Sequence, residues 1–276
     1  QSTYYKPQGG YVGDPMPFYD PVAKDLKILY LQDYRPNAAG TYHPIWGLST
    51  TDDANYTSLG ELIPCGGLAE QEAALGTGST IYSEADHLYY TFYTGNKYQP
   101  SSSDNAEVVM VATSPDFKTW TKDRTFFLKG DDYGYSKKDF RDPFVLKLAD
   151  NDYRMIVSTQ KDGKAVLAEY KSTGLWDWEH VGVFRNTPDC FHECVDIFLS
   201  QKNGLWYLVY SDINDRHVKY YVSKTYDGLK TASMPYKADG KLDGKSFYAG
   251  KTASDGTNRY IWGWCATRRG QQHTNN

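Results

Sequence analysis

Apolar and polar positions along this chain alternate with the period of strands, and amphipathic helical stretches are nearly absent. One unit recurs five times: an apolar strand, a short polar turn, then an aromatic-rich strand. Its first copy runs through Met16–Asp20 and Lys27–Gln32, its second through Ser79–Ser83 and Leu88–Tyr93. The third joins Phe144–Leu148 to Tyr153–Val157, and the fourth joins Val195–Leu199 to Trp206–Tyr210. The fifth joins Ser246–Ala249 to Arg259–Trp264. A turn and an outer strand follow several copies, most clearly at Thr113–Trp120 and Lys171–Trp178, more weakly at Thr50–Asp53 and Ser223–Asp227. Copies open near residues 15, 78, 143, 194 and 246. A period of this size with four strands per unit predicts an all-β, five-bladed β-propeller, one blade per copy. A two-sheet sandwich is the alternative, but it would not repeat its loop chemistry in register. No linker or composition shift interrupts the copies, so residues 1–276 read as a single propeller domain.

The periodicity matters most at the start of each innermost strand. Blade one has Gly13-Asp14-Pro15, blade three Arg141-Asp142-Pro143, and blade four His192-Glu193-Cys194. Innermost strands line the central channel. Matching positions in three repeats therefore bring Asp14, Asp142 and Glu193 to one end of it, although 179 residues separate the first from the last. Taken singly, each acid reads as a solvated turn residue, since Asp-Pro is a common turn dipeptide. Three in register repel one another, and the crowding raises at least one pKa, as a general acid requires. Glu193, flanked by Phe191 and Cys194, is the expected protonated member, with Asp14 ionised.

Other residues join this end of the channel. Arg141 can hold sugar hydroxyls or keep a carboxylate ionised, or it is a surface ion pair. Gln32 can bond hydroxyls or simply end a strand. Trp46 and Trp264 can stack on sugar faces or pack in the core. There are 25 Tyr, 11 Phe and 7 Trp, and a β-rich core accounts for most of them.

Composition narrows the partners. Hydrophobic residues make up 40% and charged residues 23%, the balance of a globular protein. The net charge is −4 with no basic stripe, which argues against nucleic acid. No apolar run approaches the roughly 18 residues that span a bilayer. Cys65, Cys190, Cys194 and Cys265 do not form a disulfide framework. Cys190-Phe191-His192-Glu193-Cys194 lacks a second ligand cluster, so no metal is expected, and Cys194 reads as a buried apolar residue.

These motifs resemble glycoside hydrolase family 32, the invertase, inulinase and levanase family. Gly13-Asp14-Pro15 is similar to its Asn-Asp-Pro nucleophile motif, Arg141-Asp142-Pro143 to its transition-state-stabilising Arg-Asp-Pro, and Glu193-Cys194 to its acid/base Glu-Cys. Ile28–Gln32, Trp46-Gly47 with Asp53, Thr77–Ser79, Phe247–Ala249 and Ile261–Trp264 also have counterparts, and the likeness covers residues 10–265. The resemblance implies a retaining fructosidase on sucrose-, inulin- or levan-type linkages, without cofactor. Asp14 would be the nucleophile, Glu193 the acid/base and Asp142 the stabiliser. Gln32, Trp46, Ser79, Arg141, Tyr248 and Trp264 would bind the sugar. Two departures point to an atypical subgroup: Gly13 replaces the Asn that holds a fructosyl hydroxyl, and the family's C-terminal β-sandwich is absent. A monomer acting on an oligo- or polysaccharide outside the cytoplasm, extracellular or periplasmic, is expected, because Gln1, Ser2 and Thr3 open the chain like a mature product.

Two other readings stay open. One is an inverting propeller hydrolase on arabinosyl or xylosyl linkages, with carboxyls about 6.5–9.5 Å apart where retention needs about 5–5.5 Å. The other is a propeller that binds glycans without cleaving them.

Overall fold

The computed structural model describes residues 4–7, 10–33, 43–233, 240–244 and 246–265; Gln1–Thr3 lie outside them. The alternating pattern folds into antiparallel sheets in chain order. The first holds β1 (Tyr11–Asp20), β2 (Asp25–Asp33), β3 (Ile45–Thr50) and β4 (Thr57–Ile63). The second holds β5 (Ala74–Ser83), β6 (Leu88–Asn96), β7 (Glu107–Ser114) and β8 (Thr121–Lys122). The third holds β9 (Phe140–Ala149), β10 (Asp152–Lys161), β11 (Lys164–Ser172) and β12 (Glu179–Asn186). The fourth has β13 (His192–Leu199), β14 (Trp206–Asp212) and β15 (His217–Ser223), and the last only β16 (Phe247–Ser254) and β17 (Arg259–Cys265). Neighbouring inner strands β1, β5, β9 and β13 pack in sequence, and β16 packs between β13 and β1, which closes the ring.

The propeller class stands, but the count of five blades is corrected. Four sheets have three or four strands and are blades; the fifth copy is a two-stranded ribbon that does not make one among the described residues. The sequence repeat marks an inner hairpin, which all five copies possess. A hairpin becomes a blade only through its outer strands, and among the described residues the fifth copy has none. In the fourth blade that outer edge is partly supplied by residues 240–242, where the Tyr220 amide donates to the Gly240 carbonyl at 3.0 Å.

The aromatic strands are explained by the packing between blades. Tyr90, Phe92, Tyr153, Met155 and Tyr170 are buried between the second and third sheets, and Tyr89, Tyr93 and Met16 between the first and second. The outer-strand motifs also share one turn: the Trp120 indole donates to the Phe117 carbonyl at 3.2 Å and Trp178 to that of Leu175 at 2.8 Å.

A second device repeats on the channel side. Every inner strand carries a two-against-one bulge at the same height: Gly13-Asp14 opposite Leu31, Thr77-Gly78 opposite Tyr93, Asp142-Pro143 opposite Val157, Cys194-Val195 opposite Tyr210, and Ala249-Gly250 before Lys251. Bulges bend a strand and re-aim its side chains. Asp142, Cys194 and Ala249 adopt left-handed φ values of 60°, 53° and 55° there, a strain of about 1–2 kcal/mol each for a non-glycine residue. At Gly78 the backbone approaches β6 so closely that a Cβ would lie 1.7 Å from the Phe92 carbonyl oxygen. Gly78→Ala is expected to destabilise the protein by about 3 kcal/mol through overpacking, read as a lower urea midpoint.

Candidate active site

The bulges deliver the three acids. Their register corrects one detail of the sequence pattern: the carboxylates are not at matching positions. Glu193 precedes its bulge, Asp142 is the first bulged residue of its strand and Asp14 the second. All three still face one cluster, because each bulge turns a different rung inward.

Cys194 ties the cluster together. Its amide donates to Asp142 Oδ2 at 2.7 Å, and its thiol lies 3.7 Å from Asp14 Oδ2. Thr77 completes the hold on Asp14, its hydroxyl donating to Oδ2 at 2.6 Å. Among the described residues no cation pairs with Asp14, so only neutral donors restrain it. The Asp142 amide donates to the buried Thr94 hydroxyl at 3.0 Å, which fixes the strained bulge from β6. Glu193 accepts on both oxygens, from Arg141 Nε at 3.1 Å and from the Tyr248 hydroxyl at 2.5 Å.

The model of the glycosyl hydrolases family 32 N-terminal domain matches residues 4–276. The chain belongs to glycoside hydrolase family 32. Solved structures with the same fold include a mutant β-fructofuranosidase of Bombyx mori in complex with sucrose, at 19% identity and TM-score 0.76, covering 95% of this chain and 57% of that one. Fructan 1-exohydrolase IIa of Cichorium intybus aligns at 19% identity and TM-score 0.76, covering 95% and 52%. Sucrose-6-phosphate hydrolase of Lactobacillus gasseri aligns at 20% identity and TM-score 0.75, covering 94% and 55%. This family 32 chain thus spans about half the length of these relatives, and at such identities the likeness is one of fold. No curated protein matches it by sequence.

Electrostatics within the family 32 site differ from the sequence expectation in one respect. Asp142, which the Arg141 charge was expected to keep ionised, is pushed up to about 7, first by burial and then by the Glu193 charge. Arg141 does not pair with it. Its guanidinium is shared among Glu193, Glu107 at 2.8 Å and Asp139 at 2.9 Å, and stacks 4.2 Å from the Phe191 ring. Burial alone would weaken its hold on the proton, but Glu107, Asp142 and Glu193 more than reverse that. Arg141 is therefore an interior ion-pair hub rather than a surface salt bridge. Tyr248 is held neutral by burial and by Glu193, and the Arg216 guanidinium stacks 3.7 Å over its ring.

The remaining sequence candidates divide. Trp264 packs on Cys194, Tyr248 and Ala249 beside the acids, with its indole N–H buried and unpartnered. Trp46 packs instead with Tyr30 and Leu48 in the seam between the first blade and the ribbon, where Gln32 accepts the Tyr30 hydroxyl at 2.7 Å. The Ser79 hydroxyl is spent between strands, donating to the Pro143 carbonyl and accepting the Val145 amide at 2.9 Å. Gly13 is not demanded by the backbone: a Cβ there would make an ordinary contact with Leu31 at 3.5 Å. His192 is a core residue, stacked 3.6 Å from Tyr210 and bonded to Tyr221, and burial pushes its pKa down to about 3. Sequence reasoning overlooked Thr94, Glu107 and Asp139 as partners. Thr77 lay within a noted motif; the other three carried no local signal.

Proposed function

We propose that this family 32 propeller hydrolyses fructosyl linkages of sucrose, inulin or levan type by double displacement with retention. The observation that carries the reading is the convergence of three carboxyls held in three different ways. Asp14, restrained by a hydroxyl and a thiol, keeps its lone pairs available to attack the anomeric carbon as the oxocarbenium-like state develops. Glu193 protonates the leaving oxygen and then takes a proton from the attacking water. Arg141 and Tyr248 fix both of its oxygens, so its aim is set before substrate arrives. Asp142 is buried and near its titration point at neutral pH, suited to exchanging hydrogen bonds with ring hydroxyls and to stabilising positive charge on the ring.

Glu193→Gln tests the assignment of the acid. Activity on sucrose should fall by about 10²–10⁴-fold, with a far smaller loss on a nitrophenyl fructoside, whose leaving group needs little protonation. Equal losses on both substrates would remove Glu193 from that role. Product analysis on sucrose, inulin and levan then assigns the substrate.

A further inference from the structure

Below the acids, the channel holds a charge that the chemistry above does not use. Lys251 follows the bulge of β16 and is only 2% exposed. Its ammonium reaches across the channel, past the intervening first blade, to donate to the Gly78 carbonyl at 2.9 Å. It also lies 5.3 Å from the Phe144 ring centroid. Among the described residues no carboxylate lies within ion-pairing distance of it. A lone buried ammonium is costly to desolvate, and it persists only where surrounding negative charge repays that cost.

The charged and titratable groups on the surrounding inner strands and the ribbon are Asp14 on β1, Arg141 and Asp142 on β9, Glu193, Cys194 and Asp196 on β13, Tyr248 on β16 and Arg259 on β17. Arg141 is taken up by Glu107, Asp139 and Glu193. Asp196 accepts the Thr252 hydroxyl at 2.6 Å, and Arg259 donates to that same hydroxyl at 2.8 Å, so these two answer each other. Asp142 feels the Arg141 charge without pairing with it, and among the described residues Asp14 makes no ion pair. The field of Lys251 acts on Cys194, whose thiol and amide touch those two acids. Gly78, the acceptor of Lys251, is bonded in sequence to Thr77, the donor to Asp14.

From this arrangement we infer that Lys251 is a positioning residue: a strut across the channel that holds the Thr77–Gly78 bulge against Asp14, and a counter-charge behind that carboxylate. The kinetic part of the test rests on the reading of Asp14 as nucleophile; the unfolding part does not.

Lys251→Met removes the charge and keeps the length. Neutralising a cation beside carboxylates favours their protonated forms. The acidic limb of kcat/KM should therefore move to higher pH by about one unit, a roughly tenfold loss for assays on that limb. Lys251→Arg should leave the limb in place. Independently of activity, Lys251→Met should melt below the wild type at pH 8, with the deficit narrowing toward pH 5 as the carboxyls protonate. If Lys251→Met does not fold, Lys251→Gln carries the same two measurements. A folded variant with an unmoved acidic limb and a pH-independent melting deficit overturns the inference. A melting deficit that narrows in an enzyme inactive on every fructoside sustains Lys251 and removes the proposed activity.

Discussion

Asp14→Asn is expected to fold like the wild type and to lose about 10⁴-fold or more in turnover on every fructoside, whatever the leaving group. The amide oxygen still accepts the Thr77 hydroxyl that now reaches Oδ2 at 2.6 Å, so the bulge has no reason to open. What disappears is the anionic oxygen that captures the anomeric carbon. Good leaving groups rescue a missing acid, not a missing nucleophile, and this separates the variant from Glu193→Gln. Steady-state assays on sucrose and on a nitrophenyl fructoside check the first point. Proton NMR of the first-formed anomer from the wild type checks the second, with retention expected. Substantial residual turnover, or an inverted first product, would mean that Asp14 does not attack the sugar.

Asp142→Asn should move activity and stability in opposite directions. Its carboxyl is 4% exposed and has a pKa of about 7 in the folded protein, against about 3.9 unfolded. The sign follows from proton binding. Well below pH 4 the group is protonated in both states and contributes nothing. Between about pH 4 and 7 the unfolded chain has released its proton while the folded protein retains it, so folding is opposed increasingly. Above about 7 the penalty is constant, on the order of 4 kcal/mol. Asparagine carries no such penalty and can still accept the Cys194 amide. Asp142→Asn should therefore unfold at a higher urea concentration than the wild type at pH 8, with the two converging near pH 4. Its kcat should fall by about 10²–10³-fold, because a group preorganised against the developing charge is gone. Curves that stay parallel between pH 4 and 8 would mean that Asp142 is not the residue on which burial and crowding fall.

Both variants act at positions that could be named from the chain alone, and the reason is chemical. The proposed nucleophile, acid and stabiliser are all carboxylates, and strand-turn repetition pointed to each beside the channel without any coordinates. Asp14-Pro15, Arg141-Asp142-Pro143 and Glu193-Cys194 were legible because motif and repeat coincide there. The aromatic strands were legible as core for the same reason: the alternation that marks Leu88–Tyr93 or Tyr153–Val157 is the packing of one blade on the next. Pairing was not legible. Arg141 sits beside Asp142 in sequence yet serves Glu193, Glu107 and Asp139, because a bulge sends neighbouring side chains different ways. Ser79 and Trp46 matched motif positions but are used in packing, since polar and aromatic groups beside a site satisfy the strands as readily as a ligand. The number of blades was misread because the inner hairpin repeats five times while an outer strand was read after only four copies, and the fifth hairpin stays a two-stranded ribbon among the described residues. Local spacing thus determined which residues could do the chemistry. Only the closed ring decided which of them meet, because strands far apart in sequence interact through bulge geometry, burial and charge that no single segment contains.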